Sequence, residues 1–427
     1  MAQIKIDAQH KIKEMKPLHA GGQPPLGNAY QPNPYLHYIT EAGIPYSRLH
    51  DVAGAFGGGK YVDIPNIFRD FDADENDASS YDFTFTDILI KSLMDAGIEP
   101  YYRLGITIEN DACVKAYYTH PPKDYLKWAR ICEHIIMHYT MGWADGFNYD
   151  IRYWEIWNEP ESAGHAMWSG TDEEFYEFYA VTATYLKEKF PHIKIGGYGG
   201  WGFRGIAPVE GKEVTEQEKY AIRFFEGFFE YIKERNTPID FYSWHSYAPT
   251  KRLVRMDAWL HNRLTELGYG DLETHINEWN SCFREFGTAH HSAEIAAAMI
   301  AMQHGHTYMM CIYDMRNSNV PYCPMFNVIT KKPIHAYYSM VAFNQLYRLG
   351  TQIESVCDTE NLYVLAASDG KKNAVIISNL TREVQNIEII GADLADARYY
   401  IIDQERLLSW APNANTLNPD DVVLIEW

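Results

Sequence analysis

Short apolar runs alternate with longer stretches of helical spacing along most of this chain, and that alternation constrains the fold more than any other feature. The runs cover residues 17–22, 45–50, 99–104, 153–158, 193–197, 240–245, 274–278 and 307–313. Helical spacing is expected over 85–96, 124–139, 172–190, 216–235, 256–267 and 293–303, and Gly97 closes the first of these as glycine commonly does. Strands that alternate with helices pair in parallel through crossovers, and eight such strands close a barrel. After about Gly350 the rhythm changes. Residues 362–367, 373–379, 386–390, 397–402 and 422–427 are short runs bounded by turn signals, the pattern of an antiparallel sheet. The expected fold class is therefore α/β: a (β/α)8 TIM barrel over residues 17–349 with a smaller C-terminal antiparallel β-sandwich. Residues 3–7 and 11–15 also read as strands. If they join the C-terminal unit, the second domain is discontinuous, 1–16 plus 350–427; the alternative is that they plug the barrel bottom.

Composition narrows the partners. With 37 Lys and Arg against 57 Asp and Glu the formal charge is −20, which argues against nucleic acid or an anionic membrane. No run of eighteen apolar residues exists, so no membrane-spanning helix is expected. The start, Met-Ala-Gln-Ile-Lys-Ile-Asp, alternates apolar and polar residues and lacks the apolar block of a signal peptide. That reads as a cytoplasmic protein, or as one whose leader has been removed. Six scattered cysteines without a Cys-x-x-Cys pair fit reduced, buried thiols. Assembly into a homo-oligomer is left open by the sequence.

Two segments carry the chemistry. Trp154-Glu155-Ile156-Trp157-Asn158-Glu159-Pro160 closes the fourth strand, and His275-Ile276-Asn277-Glu278-Trp279-Asn280 closes the seventh. The C-terminal ends of barrel strands share one mouth, so carboxylates there can face each other across a small ligand. Glycoside hydrolysis needs that arrangement: one carboxylic acid protonates the leaving oxygen while a carboxylate attacks the anomeric carbon. Aromatic neighbours lower the local dielectric and can keep one Glu protonated near neutrality.

These segments resemble glycoside hydrolase family 39, a family of barrel glycosidases that includes β-xylosidases and α-L-iduronidases. The likeness runs through Ser47-Arg48-Leu49-His50, residues 81–97, Pro121-Pro122-Lys123-Asp124-Tyr125-Leu126-Lys127-Trp128, residues 155–160, Gly196-Gly197, residues 240–247 and residues 275–281, and covers about residues 17–349. The resemblance implies a retaining, exo-acting glycosidase with Glu159 as general acid/base, Glu278 as nucleophile and Asn158 on the sugar 2-hydroxyl. No cofactor is implied, and the partner is a glycoside or oligosaccharide. His245 and Tyr247 lie two apart on a strand and so face the same way, to orient the nucleophile or bind hydroxyls. Arg48 and His50 share the same spacing and line the mouth, unless Arg48 serves a structural ion pair. Tyr313 ends the eighth strand, where the family often has a Trp platform, and Phe326 adds a wall or merely packs. Asp51 stands where the family usually has Gly, and its carboxylate would repel a uronate. With the Pro-Pro-Lys-Asp-Tyr segment, that favours a neutral terminal sugar, chiefly a β-xyloside. The competing readings are the same mechanism on an arabinoside, galactoside or iduronide, and a non-catalytic carbohydrate-binding barrel.

Other features carry less. The acidic run 70–77 lacks the Gly and terminal Glu of an EF-hand, and Gly57-Gly58-Gly59-Lys60 lacks a phosphate-loop pattern. His290-His291 and His304-Gly305-His306 lack metal-ligand spacing on one helix face, so no metal is expected. Glu109 and Glu155 are left as groups near the mouth.

Overall fold

A computed structural model of the chain describes residues 1–25, 35–50, 52, 62–107, 119–282, 285–317 and 322–427. Asp51, the glycines at 57–59 with Lys60, Glu109 and Cys113 lie outside the described residues. The chain begins with the long strand β1 (Ala2–Glu14). Eight parallel strands follow and close a barrel: β2 (Ala20–Gly22), β3 (Tyr46–Leu49), β4 (Glu99–Leu104), β5 (Tyr153–Ile156), β6 (Lys194–Gly200), β7 (Phe241–Ser246), β8 (Glu273–Trp279) and β9 (Met309–Ile312). The fourth and seventh barrel strands are thus β5 and β8.

Local sequence explains the helices between them. Thr171 with Glu174 and Thr215 with Glu218 form reciprocal capping boxes that start the helices Asp172–Lys189 and Glu216–Glu234. The helix expected over 256–267 begins earlier, at Thr250, and the one expected over 293–303 spans Ala289–His304. In the first case Lys251, Arg252 and Arg255 interrupt the apolar periodicity of an otherwise helical turn, in which only Leu253 supplies a buried apolar side chain. In the second, the Thr288 side chain caps the helix by accepting from the His291 amide.

The barrel interior is layered. Ala20, Tyr46, Tyr101, Tyr153, Phe241, Met309 and Cys311 form a buried cluster at its floor. Alternate strand residues share a face, so two residues further along these strands come Arg48, Glu155 and Ser243, all buried and polar. His50 and Tyr313 follow at the mouth, and His245 lies buried beneath it. Apolar residues of the opposite parity, such as Leu49, Trp154, Ile195 and Ile276, pack outward against the helices.

Beyond the barrel run β10 (Thr351–Cys357), β11 (Leu362–Ser368), β12 (Asn373–Asn379), β13 (Gln385–Ile390), β14 (Arg398–Ile402), β15 (Ser409–Ala411), β16 (Thr416–Leu417) and β17 (Val422–Glu426). They form one nine-stranded sheet ordered β15-β14-β17-β12-β11-β10-β1-β13-β16, antiparallel except between β1 and β13. The first strand of the chain therefore lies within this sheet, between β10 and β13. Alternation sorts its two faces. Leu365, Ala367, Ile376 and Leu424 join the barrel core beneath the helices Ala289–His304 and His335–Leu349. Val364, Ala366, Val375 and Val423 enclose a separate core with Ile4 and Ile6. Among the described residues no helix is long and apolar enough to cross a membrane, and Cys132, Cys282, Cys311, Cys323 and Cys357 are all free thiols.

Candidate active site

At the end of β5 the backbone leaves the extended conformation. Trp157 has φ 72° and Glu159 φ 41°, a region that side-chain-bearing residues seldom adopt and that is concentrated at functional sites. Two hydrogen bonds fix this turn to its neighbours: the Trp157 amide donates to the Leu104 carbonyl (2.9 Å) and the Glu159 amide to that of Gly199 (3.0 Å). Gly199 is itself required. Its φ is +59°, and a Cβ there would stand 2.9 Å from Arg48 Nη2 and 3.1 Å from Asn158 Oδ1. On the opposite side, β8 shifts register against both neighbours between Ile276 and Trp279, which turns Asn277 inward and brings Glu278 beside His245.

Glu159 and Glu278 meet through His245. Glu159 Oε1 lies 2.6 Å from His245 Nδ1, and His245 Nε2 lies 3.7 Å from Glu278 Oε2. One donor atom from each of the three residues lies within 4.8 Å of the other two. Glu278 Oε2 also accepts from Arg48 Nη1 (3.2 Å), and Glu278 Oε1 from the Tyr247 hydroxyl. Beneath them Arg48 donates from Nε to Glu155 Oε2 (2.8 Å) and from Nη2 to Asn158 Oδ1 (2.6 Å). Glu155 Oε1 accepts from Ser243 Oγ (2.6 Å) and from the Asn277 amide. Ser243 Oγ in turn accepts from the Gly199 amide (2.8 Å). One hydrogen-bonded network thus links β3, β5, β6, β7 and β8.

Charge follows from burial. Burial raises the Glu159 pKa to about 7, and the guanidinium charges of Arg204 and Arg48 only partly oppose it. Burial also raises Glu278; His245, Arg48 and the Tyr247 hydroxyl pull it back while Glu159 pushes it up. His245 is driven by burial down to about 4, so its imidazole is neutral at neutral pH. Burial works against the Arg48 charge, but Glu155 and Glu278 more than offset it and hold its pKa above the ordinary value.

A cavity of about 750 Å³ opens above this network, with His50, Asn158, Glu159, Tyr247, Glu278 and Tyr313 among its walls. Arg48, expected at the mouth or in a structural ion pair, takes the ion pair under the cavity floor, and His245, expected to orient the nucleophile or bind hydroxyls, is likewise almost fully buried there. Phe326 does not line it. Its ring is buried among Tyr35, Tyr38 and Tyr337, an aromatic packing cluster. Tyr313 forms one wall with Tyr247 and Tyr322, ring centroids 5.5–6.5 Å apart, and its hydroxyl accepts from Gln23 Nε2. Trp201, Arg204 and Tyr322 line the cavity and escaped the sequence reading, because they sit on loops without strand periodicity. Aromatic and basic residues just past strand ends were the available signal.

Among the described residues, donor atoms that could accept a metal converge twice, at Glu159, His245 and Glu278 and at Cys282, His290 and Glu294. At the second cluster His290 Nδ1 is hydrogen-bonded to Asp420 Oδ1 (2.8 Å), tying the barrel to the nine-stranded sheet. The acidic run before the helix Thr84–Asp95 satisfies its own backbone: Asp70, Asp74 and Asp77 accept from the amides of Asp72, Asn76 and Ser79.

Arg48→Met should destabilise the fold by about 3–5 kcal/mol, because it strands the fully buried Glu155 carboxylate without its counter-charge. A denaturant midpoint measures this; a loss under about 1 kcal/mol would show that the network survives without the guanidinium.

Residues 3–306 match the model of the glycosyl hydrolases family 39. A β-xylosidase of Geobacillus stearothermophilus is 26% identical over 309 residues, which is 65% of this chain but only 55% of that protein's length. Among solved structures, a glucosidase from Croceicoccus marinus superposes with TM-score 0.77 at 20% identity, covering 100% of this chain and 98% of that one. A family 39 β-xylosidase from Caulobacter crescentus gives TM-score 0.69 at 16% identity, with 99% of each chain covered. At these identities the two structures are similar in fold.

Proposed function

The chain belongs to glycosyl hydrolase family 39, and from that premise we propose that it is a retaining, exo-acting glycosidase acting on terminal β-xylosides by double displacement. The observation that carries this reading is the approach of the two carboxylates: an oxygen of Glu159 and one of Glu278 lie within 4.8 Å. Retaining enzymes hold their carboxyl groups about 5–5.5 Å apart, whereas inverting ones leave about 6.5–9.5 Å for a water between them.

The surroundings divide the roles. Glu278 has a guanidinium at 3.2 Å and the Tyr247 hydroxyl on its carboxylate, so it is the member that ionises and attacks the anomeric carbon. Among the described residues no Lys or Arg makes an ion pair with Glu159, and burial keeps its proton until about pH 7. A neutral imidazole has one donor and one acceptor nitrogen. With Nε2 directed at the anionic Glu278, Nδ1 is free to accept from protonated Glu159, which holds the acid in place. In the first step Glu159 gives its proton to the leaving oxygen as Glu278 bonds to the sugar. Glu278 thereby loses its charge, the Glu159 pKa falls, and Glu159 next takes a proton from the water that releases the sugar. Asn158, its Oδ1 bound by Arg48, keeps its amide group for the 2-hydroxyl.

The xyloside assignment is supported by the β-xylosidase relative and by the Pro-Pro-Lys-Asp-Tyr segment. A panel of aryl glycosides tests it: turnover of the β-xyloside should exceed that of the β-galactoside and α-arabinoside, and a reversed order reassigns the sugar. NMR of the first-formed anomer tests the mechanism; an α-anomer released from a β-xyloside overturns it. The pH profile follows from the same assignment. The alkaline limb of kcat/KM should fall near pH 7, where free Glu159 loses the proton that the first step requires. Because the two carboxyls interact, both limbs belong to the pair. A plateau extending above about pH 9 would remove Glu159 as the acid.

A further inference from the structure

One part of the cavity wall is cationic in a chain of net charge −20. Arg204 comes from the turn Arg204–Ile206 after β6, Lys212 from the loop that follows, and Arg252 from the first turn of the helix Thr250–Leu267. Among the described residues none of the three has a carboxylate at ion-pair distance. The Arg204 guanidinium lies on the Trp201 ring, 4.5 Å from its centroid, and Arg252 Nε donates to the Ala207 carbonyl (2.6 Å). Glu218 lines the same wall, but its carboxylate is engaged as a helix cap by the Thr215 amide (2.8 Å) and hydroxyl (3.0 Å). The remaining carboxylates of the cavity, Glu159 and Glu278, are the reacting pair, and Glu278 already has Arg48.

The fold holds this wall in place. Gly202, with φ +98°, lets the chain run against β7, where a Cβ would meet the His245 carbonyl oxygen at 2.1 Å. Trp201 is anchored by its amide, which donates to Glu161 Oε1 (2.7 Å). An indole face capped by a guanidinium therefore stands beside Glu159. Like charges so placed repel: burial, and then the charge of Arg204, lowers the Arg252 pKa, and Glu218 only partly opposes them. An incoming anion relieves that repulsion.

We propose that Arg204, Lys212 and Arg252 form an oxyanion subsite for a carboxylate or sulfate carried by the leaving-group portion of the substrate. The leaving-group side follows from the assignment of Glu159 as the acid, on which this inference rests. The wall is tied to the loop that carries Glu159: the Glu159 amide donates to the Gly199 carbonyl (3.0 Å) and the Trp201 amide to Glu161 Oε1 (2.7 Å), both at the cavity end of β6 that leads into Arg204. Guanidinium groups match the paired oxygens of carboxylate and sulfate, and Trp201 offers a flat face to the ring that bears them. The preferred substrate is then a neutral terminal sugar linked to an acidic one.

Three disaccharides test this, sharing a terminal β-xylosyl group and differing only in the second residue: glucose, glucuronate or glucose 6-sulfate. With the wild-type enzyme at low salt, kcat/KM for the better acidic member should exceed that of the glucose member by about tenfold. In the Arg204→Ala/Lys212→Ala double variant that ratio should collapse toward one, whatever happens to overall turnover. Which acidic member wins identifies the anion. Calorimetric titration of the same ligands into the Glu278→Gln variant, which cannot consume them, reads the subsite separately from catalysis. Tighter binding of an acidic ligand without hydrolysis of any member would support the subsite and overturn the β-xyloside reading. Absence of any acidic preference in both measurements, or a ratio unaffected by the double variant, overturns the subsite.

Discussion

Glu278→Gln is expected to lower kcat on an aryl β-xyloside by at least about 10⁴-fold while leaving the fold intact. An amide cannot form the covalent glycosyl bond, yet Gln keeps an oxygen to accept from Arg48 Nη1 in place of Oε2, while its NH2 in place of Oε1 can donate to the Tyr247 hydroxyl oxygen. Glu155 and Asn158 still engage the Arg48 guanidinium, so no buried charge is left alone. Thermal unfolding should therefore change far less than activity. Glu278→Gly opens space beside the anomeric carbon, and azide should then restore turnover of activated glycosides as a glycosyl azide of inverted configuration. Near-normal activity in the Gln variant would remove Glu278 from the role of nucleophile.

Glu159→Ala is expected to cost about 10²–10⁴-fold on disaccharides, whose leaving oxygen needs the proton. Glycosides with strongly activated leaving groups should lose much less in the first step, because they depart unassisted. For these the second step becomes limiting, since no base remains to activate water. Azide should enter the gap and give a glycosyl azide of retained configuration. Equal losses on both substrate types, with no azide effect, would reassign the acid. Of the neighbouring carboxyls, Glu155 is buried against Arg48, and Glu161 is buried with its Oε1 on the Trp201 amide. Neither lines the cavity, which is why the truncation is expected to be so damaging.

The legible part of this site is the part written in strand periodicity. Arg48 and His50, His245 and Tyr247, and Cys311 and Tyr313 are pairs two residues apart, and each pair lies along one inward-facing row. Period two, however, gives direction and not depth. Of the two roles open to Arg48, mouth lining or a structural ion pair, it takes the second, on Glu155 beneath the cavity floor. His245, expected to orient the nucleophile or bind hydroxyls, is also buried there, because depth along a row is set by how all eight strands pack. Phe326, for which a wall or a packing role stood open, packs among tyrosines; a loop residue carries no periodicity to decide between the two. For the same reason Trp201, Arg204 and Tyr322 were invisible until the loops were folded.

What the sequence determined by itself was the number and order of the barrel strands, their parallel pairing, the change to an antiparallel sheet after Gly350, and the two strand ends that carry Glu159 and Glu278. Those properties come from local apolar patterning and turn residues, which are written consecutively along the chain. The tertiary structure alone decided that β1 lies between β10 and β13, that Glu155, Ser243 and Asn277 form one network around Arg48, and that His245 bridges the two carboxylates. It also decided that three loop and helix cations share a cavity wall with Glu159. Such contacts join residues separated by tens to hundreds of positions, and their energies depend on burial and distance that no local pattern encodes.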